Sequence, residues 1–458
     1  MKKATHPLNR REFIKRSLIT SGVIALPTVV PASVFGQNAP SNRINIAAIG
    51  VGGRGSGNVF NAFVRPLQDA RVVIACDCFQ SKRDRFAQRV NEHYGSQVCR
   101  PVADYREVLA DKNVDGVVVS TADHWHVPLA CQAARAKKDM YVEKPLSVAM
   151  AWAGKLRKVI KRNNVVFQYG TQQRSSAQFT WAVELVRNGY IGKIKHIDAW
   201  CPDMSEQFNQ ASVPPYGSTQ AIKAPTGLNY DMWIGPAPMK PYTADRCTCY
   251  GGYHIYDYAL GFIAGWGAHP LDIAQWGIDM DHTGPVRYEG TGKVPPKGSL
   301  WDSTESWDIN CTYANGITMH FMGERVAKDI VGKMDQHKRP WRTHGTTFWG
   351  EDGWISVDRN GLYASERSIQ QAKIKANETP VYRSASQARN FVDCMRTRKP
   401  TINPLESAIR SDTISHLSDI CIRMKRPIKW DPKTETILGD TEAEKLLKRP
   451  IRKPYGLI

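Results

Sequence analysis

The stretch from Ile44 to Gly55 (Ile-Asn-Ile-Ala-Ala-Ile-Gly-Val-Gly-Gly-Arg-Gly) constrains the fold more than any other part of this 458-residue chain. It reads as a buried apolar strand running straight into a Gly-x-Gly-x-x-Gly turn. Gly50 allows the tight turn, and Gly52 lets backbone approach a pyrophosphate. Gly55 lets the next helix pack close to the strand, its first N–H groups aimed at the phosphates. Gly53 and Arg54 sit inside the same turn and belong to the expected cofactor contact. A second apolar run, Arg71 to Cys76, ends at Asp77, about twenty residues on, where a dinucleotide-binding unit places its ribose carboxylate. Asp77 would accept both ribose hydroxyls and repel a 2′-phosphate, which favours NAD over NADP; Lys82 and Arg83 lie close enough in sequence to offset part of that repulsion.

Strand and helix patterns alternate from residue 43 to about 170. Ser81–His93 reads as a helix capped by Ser81, and Asp115–Thr121 as a strand of the fully apolar kind found inside parallel sheets. Met140–Val142 is a strand that breaks into Glu143-Lys144-Pro145. The alternation predicts a doubly wound parallel sheet, an α/β Rossmann fold, with ligands outside the carboxyl ends of its strands. Gly52, Asp77, Thr121 and Lys144 all fall at such ends. Beyond residue 171 the helical patterns thin and Trp, Tyr, Gly and Pro rise. Lys195–Trp200, Ile309–Tyr313 and Gly316–Phe321 suggest strands of an α+β domain on an open, mainly antiparallel sheet, spanning 171–430. Residues 431–458 read as a tail wrapping the surface.

Residues 1–36 are set apart as a signal peptide. Asn9-Arg10-Arg11-Glu12-Phe13-Ile14-Lys15 is a twin-arginine pattern, followed by a mildly apolar run to Val30 and small residues around Ala32–Gly36. That run falls short of the ~20 residues a membrane span needs and contains Pro27, so no stable membrane insertion is expected. Cleavage leaves a mature start near Gln37, delivered by the twin-arginine machinery to the periplasm or beyond. The formal charge is +19, of which residues 1–36 carry +5. The remaining basic residues are scattered, and no nucleic-acid motif accompanies them, so nucleic acid is not an expected partner. The ten Cys lack zinc-like spacing. Folding before export favours free thiols and leaves a bridge through Cys247 or Cys249 open.

Four motifs in order resemble the Gfo/Idh/MocA oxidoreductases, named for glucose–fructose oxidoreductase and inositol dehydrogenase. They are Gly50-Val51-Gly52-Gly53-Arg54-Gly55, Thr121-Ala122-Asp123-His124-Trp125-His126, Glu143-Lys144-Pro145-Leu146, and Gly267-Ala268-His269-Pro270-Leu271-Asp272. Asp-His-Trp-His together with Gly170-Thr171-Gln172-Gln173-Arg174 is similar to the exported members. The resemblance implies that His126 begins a helix beside the cofactor, that Glu143 belongs to the cofactor site, and that Gln172 and Arg174 face the substrate. It also implies that Lys144 and His269 act as the acid–base pair, and that the chain forms a homo-dimer or homo-tetramer through its open sheet.

Lys144 has a case of its own, since a cation at a strand's carboxyl end beside a reacting sugar oxygen stabilises developing alkoxide. His269 lies in an apolar run that reads as helical from Pro270. Asp272, three residues on, is expected to fix its imidazole tautomer. Inositol-dehydrogenase-like members carry Asp four residues before the His. This chain has Gly265 there, which Asp272 or one of Tyr253, Tyr256 and Tyr258 could replace. Trp266 is an expected sugar-stacking residue. His124 and His126, two apart without further ligands, make a poor zinc site, and no metal is expected. The leading expectation is a periplasmic sugar or glycoside oxidoreductase whose tightly held NAD is recycled in place. The alternatives are a redox-neutral NAD-dependent glycosidase using the same site and a non-catalytic sugar-binding protein.

Overall fold

The computed structural model describes residues 43–204, 216–334 and 338–457; the expected signal peptide lies outside the described residues. Six parallel strands form the first sheet: β1 (Ile44–Ile49), β2 (Ala70–Cys76), β3 (Arg100–Val102), β4 (Gly116–Val119), β5 (Asp139–Val142) and β6 (Phe167–Tyr169). Their order, β3-β2-β1-β4-β5-β6, reverses direction beside β1 and leaves a crevice at the carboxyl ends of β1 and β4. The expected doubly wound sheet is therefore present. Both faces of its central strands are covered, which is why Gly116-Val117-Val118-Val119 is apolar throughout and buried at every position.

The helix after β2 runs from Gln80 to Tyr94 and begins without a side-chain cap, so Ser81 is a first-turn residue and not the cap expected of it. Ahead of it, Asp77 accepts the N–H of Phe79, the residue at the capping position, at 2.9 Å. The following helix, Tyr105–Ala110, is capped by Asp104, whose carboxylate accepts the Arg106 N–H.

Nine strands form the second sheet: β7 (Ile194–Cys201), β8 (Arg287–Lys293), β9 (Ser306–Thr312), β10 (Thr318–Gly323), β11 (Gly345–Gly350), β12 (Trp354–Asp358), β13 (Gly361–Ala364), β14 (Ile428–Asp431) and β15 (Thr436–Ile437). The order is β13-β12-β11-β7-β10-β9-β8-β14-β15, and every pair but β7–β10 is antiparallel. The expected open, mainly antiparallel sheet is thus present. Helices Ala177–Arg187, Ala268–Gly277 and Leu405–Met424 pack against it.

After leaving the second sheet, the chain returns to the first. Helix Gln387–Thr397 buries Phe391, Val392 and Met395 in the same cluster as Ile46, Val72 and Phe63. Residues beyond 431 also return: Tyr455 packs edge-on against Trp125, and Arg135 donates to the Leu457 carbonyl. No helix among the described residues is long and apolar enough to cross a membrane. All ten Cys are free thiols in the structure.

The glycine turn is steric in origin at two of its positions. Gly50 has φ +86°, and a β-carbon there would lie 2.6 Å from the Ser120 backbone. A β-carbon on Gly55 would collide with the Gly50 carbonyl oxygen, whereas one on Gly53 would meet nothing within 4 Å. Gly55→Ala should therefore cost about 2 kcal/mol or more of stability, while Gly53→Ala should change it by less than about 1 kcal/mol. Urea unfolding of the two variants checks this; equal losses would refute the steric account.

Candidate active site

The carboxyl ends of β1, β2, β4 and β5 open into a cleft of about 370 Å³, and all ten residues expected at the cofactor, from Gly50 to Lys144, line it. The cleft is organised by Asp77. Its Oδ2 accepts the Val51 N–H at 3.0 Å, tying the end of β2 to the glycine turn. Burial raises the carboxyl pKa, and the Phe79 N–H, Lys82 and the Val51 N–H pull against that rise. Lys82 lies across the turn, its Nζ 3.6 Å from the Phe79 ring centroid and 3.4 Å from where a Gly52 β-carbon would be. Arg83 points elsewhere, donating to the Asp77 main-chain carbonyl at 3.2 Å. The residues fit a dinucleotide. The space above Gly53 is open, and the first N–H groups of helix Gly53–Val59 have no acceptor within their own helix.

Lys144 enters from the end of β5 and is only 5 % exposed. Its Nζ donates to the Gly265 carbonyl at 2.9 Å and lies 5.5 Å from the Tyr253 ring centroid. Glu143 does not neutralise it by a direct ion pair. The Glu143 carboxylate instead accepts the Lys144 main-chain N–H at 3.3 Å and the Asn58 amide at 3.3 Å. Gln172 reaches the same carboxylate at 3.5 Å and lines a side cleft with Arg54, Asn58 and Glu143.

His269 stands in the first turn of helix Ala268–Gly277, fully buried, and its Nδ1 has no partner. Burial pulls its pKa well below the usual value, and the positive charges of Lys144, Arg359 and Arg54 lower it further. The ring is therefore neutral near pH 7 and free to accept a proton.

Asp272 does not orient it. Its carboxylate takes Arg174 Nε at 3.0 Å and Nη2 at 2.6 Å, Thr171 Oγ1 at 2.8 Å and Asn403 Nδ2 at 3.0 Å. A guanidinium offers a full charge and two aligned donors, and it outcompetes an imidazole for a buried carboxylate. The same contacts correct the reading of Arg174 as a substrate residue. Its remaining donors reach Asp281 at 2.8 Å, and its side chain is 2 % exposed. Burial works against that charge, but the two carboxylates outweigh it and raise the pKa of Arg174.

The vacancy at Gly265 is resolved by packing. A β-carbon there would lie 3.1 Å from the Tyr253 ring, so Tyr253 occupies the space into which a side chain at 265 would grow. Tyr256 is instead sandwiched between Arg423 and Arg449, and Tyr258 accepts from Arg246.

Trp266 borders His269, with ring centroids 5.9 Å apart, and also His344 at 5.5 Å. Neither His344 nor Arg359 carries a local sequence motif; only the register of β11 to β13 brings them here. His126 does begin its helix, with Nδ1 2.6 Å from the Pro145 carbonyl, while His124 Nε2 faces the Trp233 carbonyl at 3.1 Å. Among the described residues no group of three His, Cys, Asp or Glu side chains is placed to hold a metal.

Two family profiles match this chain. Residues 44–171 match the Gfo/Idh/MocA profile described as an oxidoreductase family NAD-binding Rossmann fold. Residues 216–334 and 349–457 match the C-terminal alpha/beta domain of the same oxidoreductase family. A glycosyl hydrolase family 109 protein of Shewanella sp. (strain ANA-3) is 28% identical over 212 residues, 42% of this chain and 45% of that protein. Myo-inositol 2-dehydrogenase of Thermotoga maritima is 30% identical over 199 residues, 43% of this chain and 54% of that protein. The chain thus spans about half the length of these curated relatives. GenD2 from gentamicin A biosynthesis, solved in complex with NAD, shares the fold with a TM-score of 0.59 at 16% identity, over 85% of this chain and 97% of that one.

Removing one partner of a buried ion pair costs about 3–5 kcal/mol, because the other charge is left uncompensated. Arg174→Ala should show that loss in urea unfolding; an intact midpoint with only a raised KM would restore the substrate role. The buried imidazoles add a pH dependence. Burial pulls His124, His126 and His344 down to about 4 and His254 to about 3. Unfolding returns them to the ordinary value near 6.5, so the unfolded chain binds more protons below that pH. Stability is full above pH 6.5 and falls as the pH drops toward 4. Urea midpoints should decline through that window, with roughly two to four protons taken up on unfolding; a flat profile would contradict it.

Proposed function

This chain belongs to the Gfo/Idh/MocA oxidoreductase family, and on that basis we propose that it oxidises a ring or anomeric hydroxyl of a sugar or glycoside, using a nicotinamide dinucleotide held in the Gly50–Gly55 cleft. The carrying observation is the pairing of a buried ammonium with a neutral imidazole beside that cleft. Lys144 is fixed on the Gly265 carbonyl, and His269 keeps an unpartnered ring nitrogen with Lys144 as the strongest charge acting on it. A nicotinamide held there would supply the acceptor for the hydride leaving the carbinol carbon. Lys144 stabilises the negative charge growing on the substrate oxygen, and His269 takes the hydroxyl proton as the C–H bond breaks. Tyr253, against both Gly265 and Lys144, shields that ammonium from water on one side.

Asp77 supports NAD as the dinucleotide, with Lys82 the residue that would admit a 2′-phosphate. The twin-arginine pattern supports export to the periplasm with the cofactor already loaded, tight retention there, and regeneration by a second carbonyl substrate. Assembly into a dimer or tetramer through the nine-stranded sheet is part of the same reading.

A second reading, a redox-neutral glycosidase, is favoured by the similarity to glycosyl hydrolase family 109 proteins. There, transient oxidation of the sugar would acidify the neighbouring C–H and let the aglycone leave.

Lys144→Ala should lower turnover about 10²–10⁴-fold while the protein still carries its dinucleotide. Unchanged turnover would take Lys144 out of the mechanism, and no turnover in the parent protein would point to a binding protein. Incubating the loaded protein with aryl glycosides, without added cofactor, separates the first two readings. A keto-sugar product supports the oxidoreductase, and phenol release without net reduced cofactor supports the glycosidase.

A further inference from the structure

The side cleft beyond Glu143 is lined by two exposed arginines, Arg54 and Arg359, against one carboxylate among the described residues. Arg359 sits at the tip of the β12–β13 hairpin, where Asp358 pairs with Gly361. Its main chain is pinned on two sides. The Asp358 carboxylate accepts the Asn360 and Gly361 N–H groups at 2.7 and 3.2 Å, and Gln178 donates to the Arg359 carbonyl at 3.1 Å. From that fixed base the guanidinium lies 5.0 Å from the centroid of Trp266, the ring that also borders His269 and His344.

Among the described residues Arg359 makes no ion pair and no side-chain hydrogen bond, and the charge acting on it is a second cation, Arg54. Both arginines line the side cleft. The carboxylate in that wall is Glu143, already committed to Asn58 and the Lys144 N–H, and Asp272 is held by Arg174. Arg54 also lines the dinucleotide cleft, where a phosphate could claim it, but Arg359 does not. A guanidinium resting on an indole gains about 0.5–1 kcal/mol at an exposed site, which explains packing but not the convergence of two cations on a cleft whose one carboxylate acts on Arg54. The two histidines around Trp266 each keep a buried ring nitrogen without a hydrogen-bond partner, His344 Nε2 and His269 Nδ1.

Resting on the sugar-oxidoreductase reading above, we propose that the substrate is a sugar bearing an anionic substituent, a carboxylate or a phosphate, and that Arg359 receives this group while Trp266 packs against the sugar beside it. A planar guanidinium pairs two oxygens of either anion at once, and the indole supplies an apolar face for the ring. Arg359 then sets specificity and takes no part in the proton transfer at Lys144 and His269.

The experiment uses the dinucleotide-loaded protein and matched pairs: uronic acids and their glycosides against the neutral hexoses, and hexose 6-phosphates against free hexoses. The anionic member should be favoured at least tenfold in kcat/KM. Arg359→Gln should bring that ratio close to one, chiefly through KM, with Arg359→Lys recovering part of it. Preference for the uronate identifies a carboxylate, and preference for the 6-phosphate identifies a phosphate. Oxidation of neutral sugars as efficient as that of their acids, or an equal loss for both in Arg359→Gln, overturns the proposal and leaves the oxidoreductase reading standing. Calorimetric titration with the same acids covers the case in which no sugar is oxidised. Acid binding weakened by Arg359→Gln then supports the anion site while the oxidoreductase reading fails, and no acid binding in the parent protein overturns the anion site itself.

Discussion

The geometry of this molecule depends on one guanidinium placed where two halves of the fold meet. Arg174 follows β6 of the parallel sheet, and it is anchored by Asp272 from the helix that carries His269 and by Asp281 just beyond that helix. Thr171 and Asn403 complete the shell around Asp272, with Asn403 also donating to Thr171 Oγ1. Burying such a network costs desolvation of each charge, so its contribution to net stability is small compared with its directionality. An apolar contact in its place would let the helix Ala268–Gly277 slide or rotate, whereas a fork of aligned hydrogen bonds holds one register. That register decides whether His269 faces Lys144.

Much of the architecture was legible because it is written in local chemistry. Gly50, Gly55 and the apolar runs of β1, β2 and β4 meet their steric and burial demands within a few residues, and the Rossmann sheet follows from them. The change of texture after residue 171 likewise announced a second sheet, since strands and long loops leave their mark in composition. The site was legible where a motif coincides with a strand end, as at Asp77 and Lys144.

The rest depends on contacts between residues distant in sequence, and there local reasoning chose the wrong partner. Asp272 lies three residues from His269 and was expected to serve it, yet Arg174, 98 residues away, holds it. Asp272, Tyr253, Tyr256 and Tyr258 were all open as replacements for an Asp at position 265, and only ring packing shows that Tyr253 lies against that position. Arg359 and His344 lie on segments with no pattern beyond strand and turn. Ser81 fails as a cap because the helix begins at Gln80, with Phe79 at the capping position, and so already contains it.

The return of the final segment to the first sheet has a kinetic meaning. Trp125 lines the dinucleotide cleft, and Tyr455 packs edge-on against it beside Tyr105; Arg135, one helix along, grips a carbonyl 322 residues further on. During synthesis the glycine turn emerges early, but the Tyr455 contact behind Trp125 forms only after the second sheet has been made. The packing behind one wall of the cleft is therefore completed by residues translated long after the glycine turn that the cleft is built on.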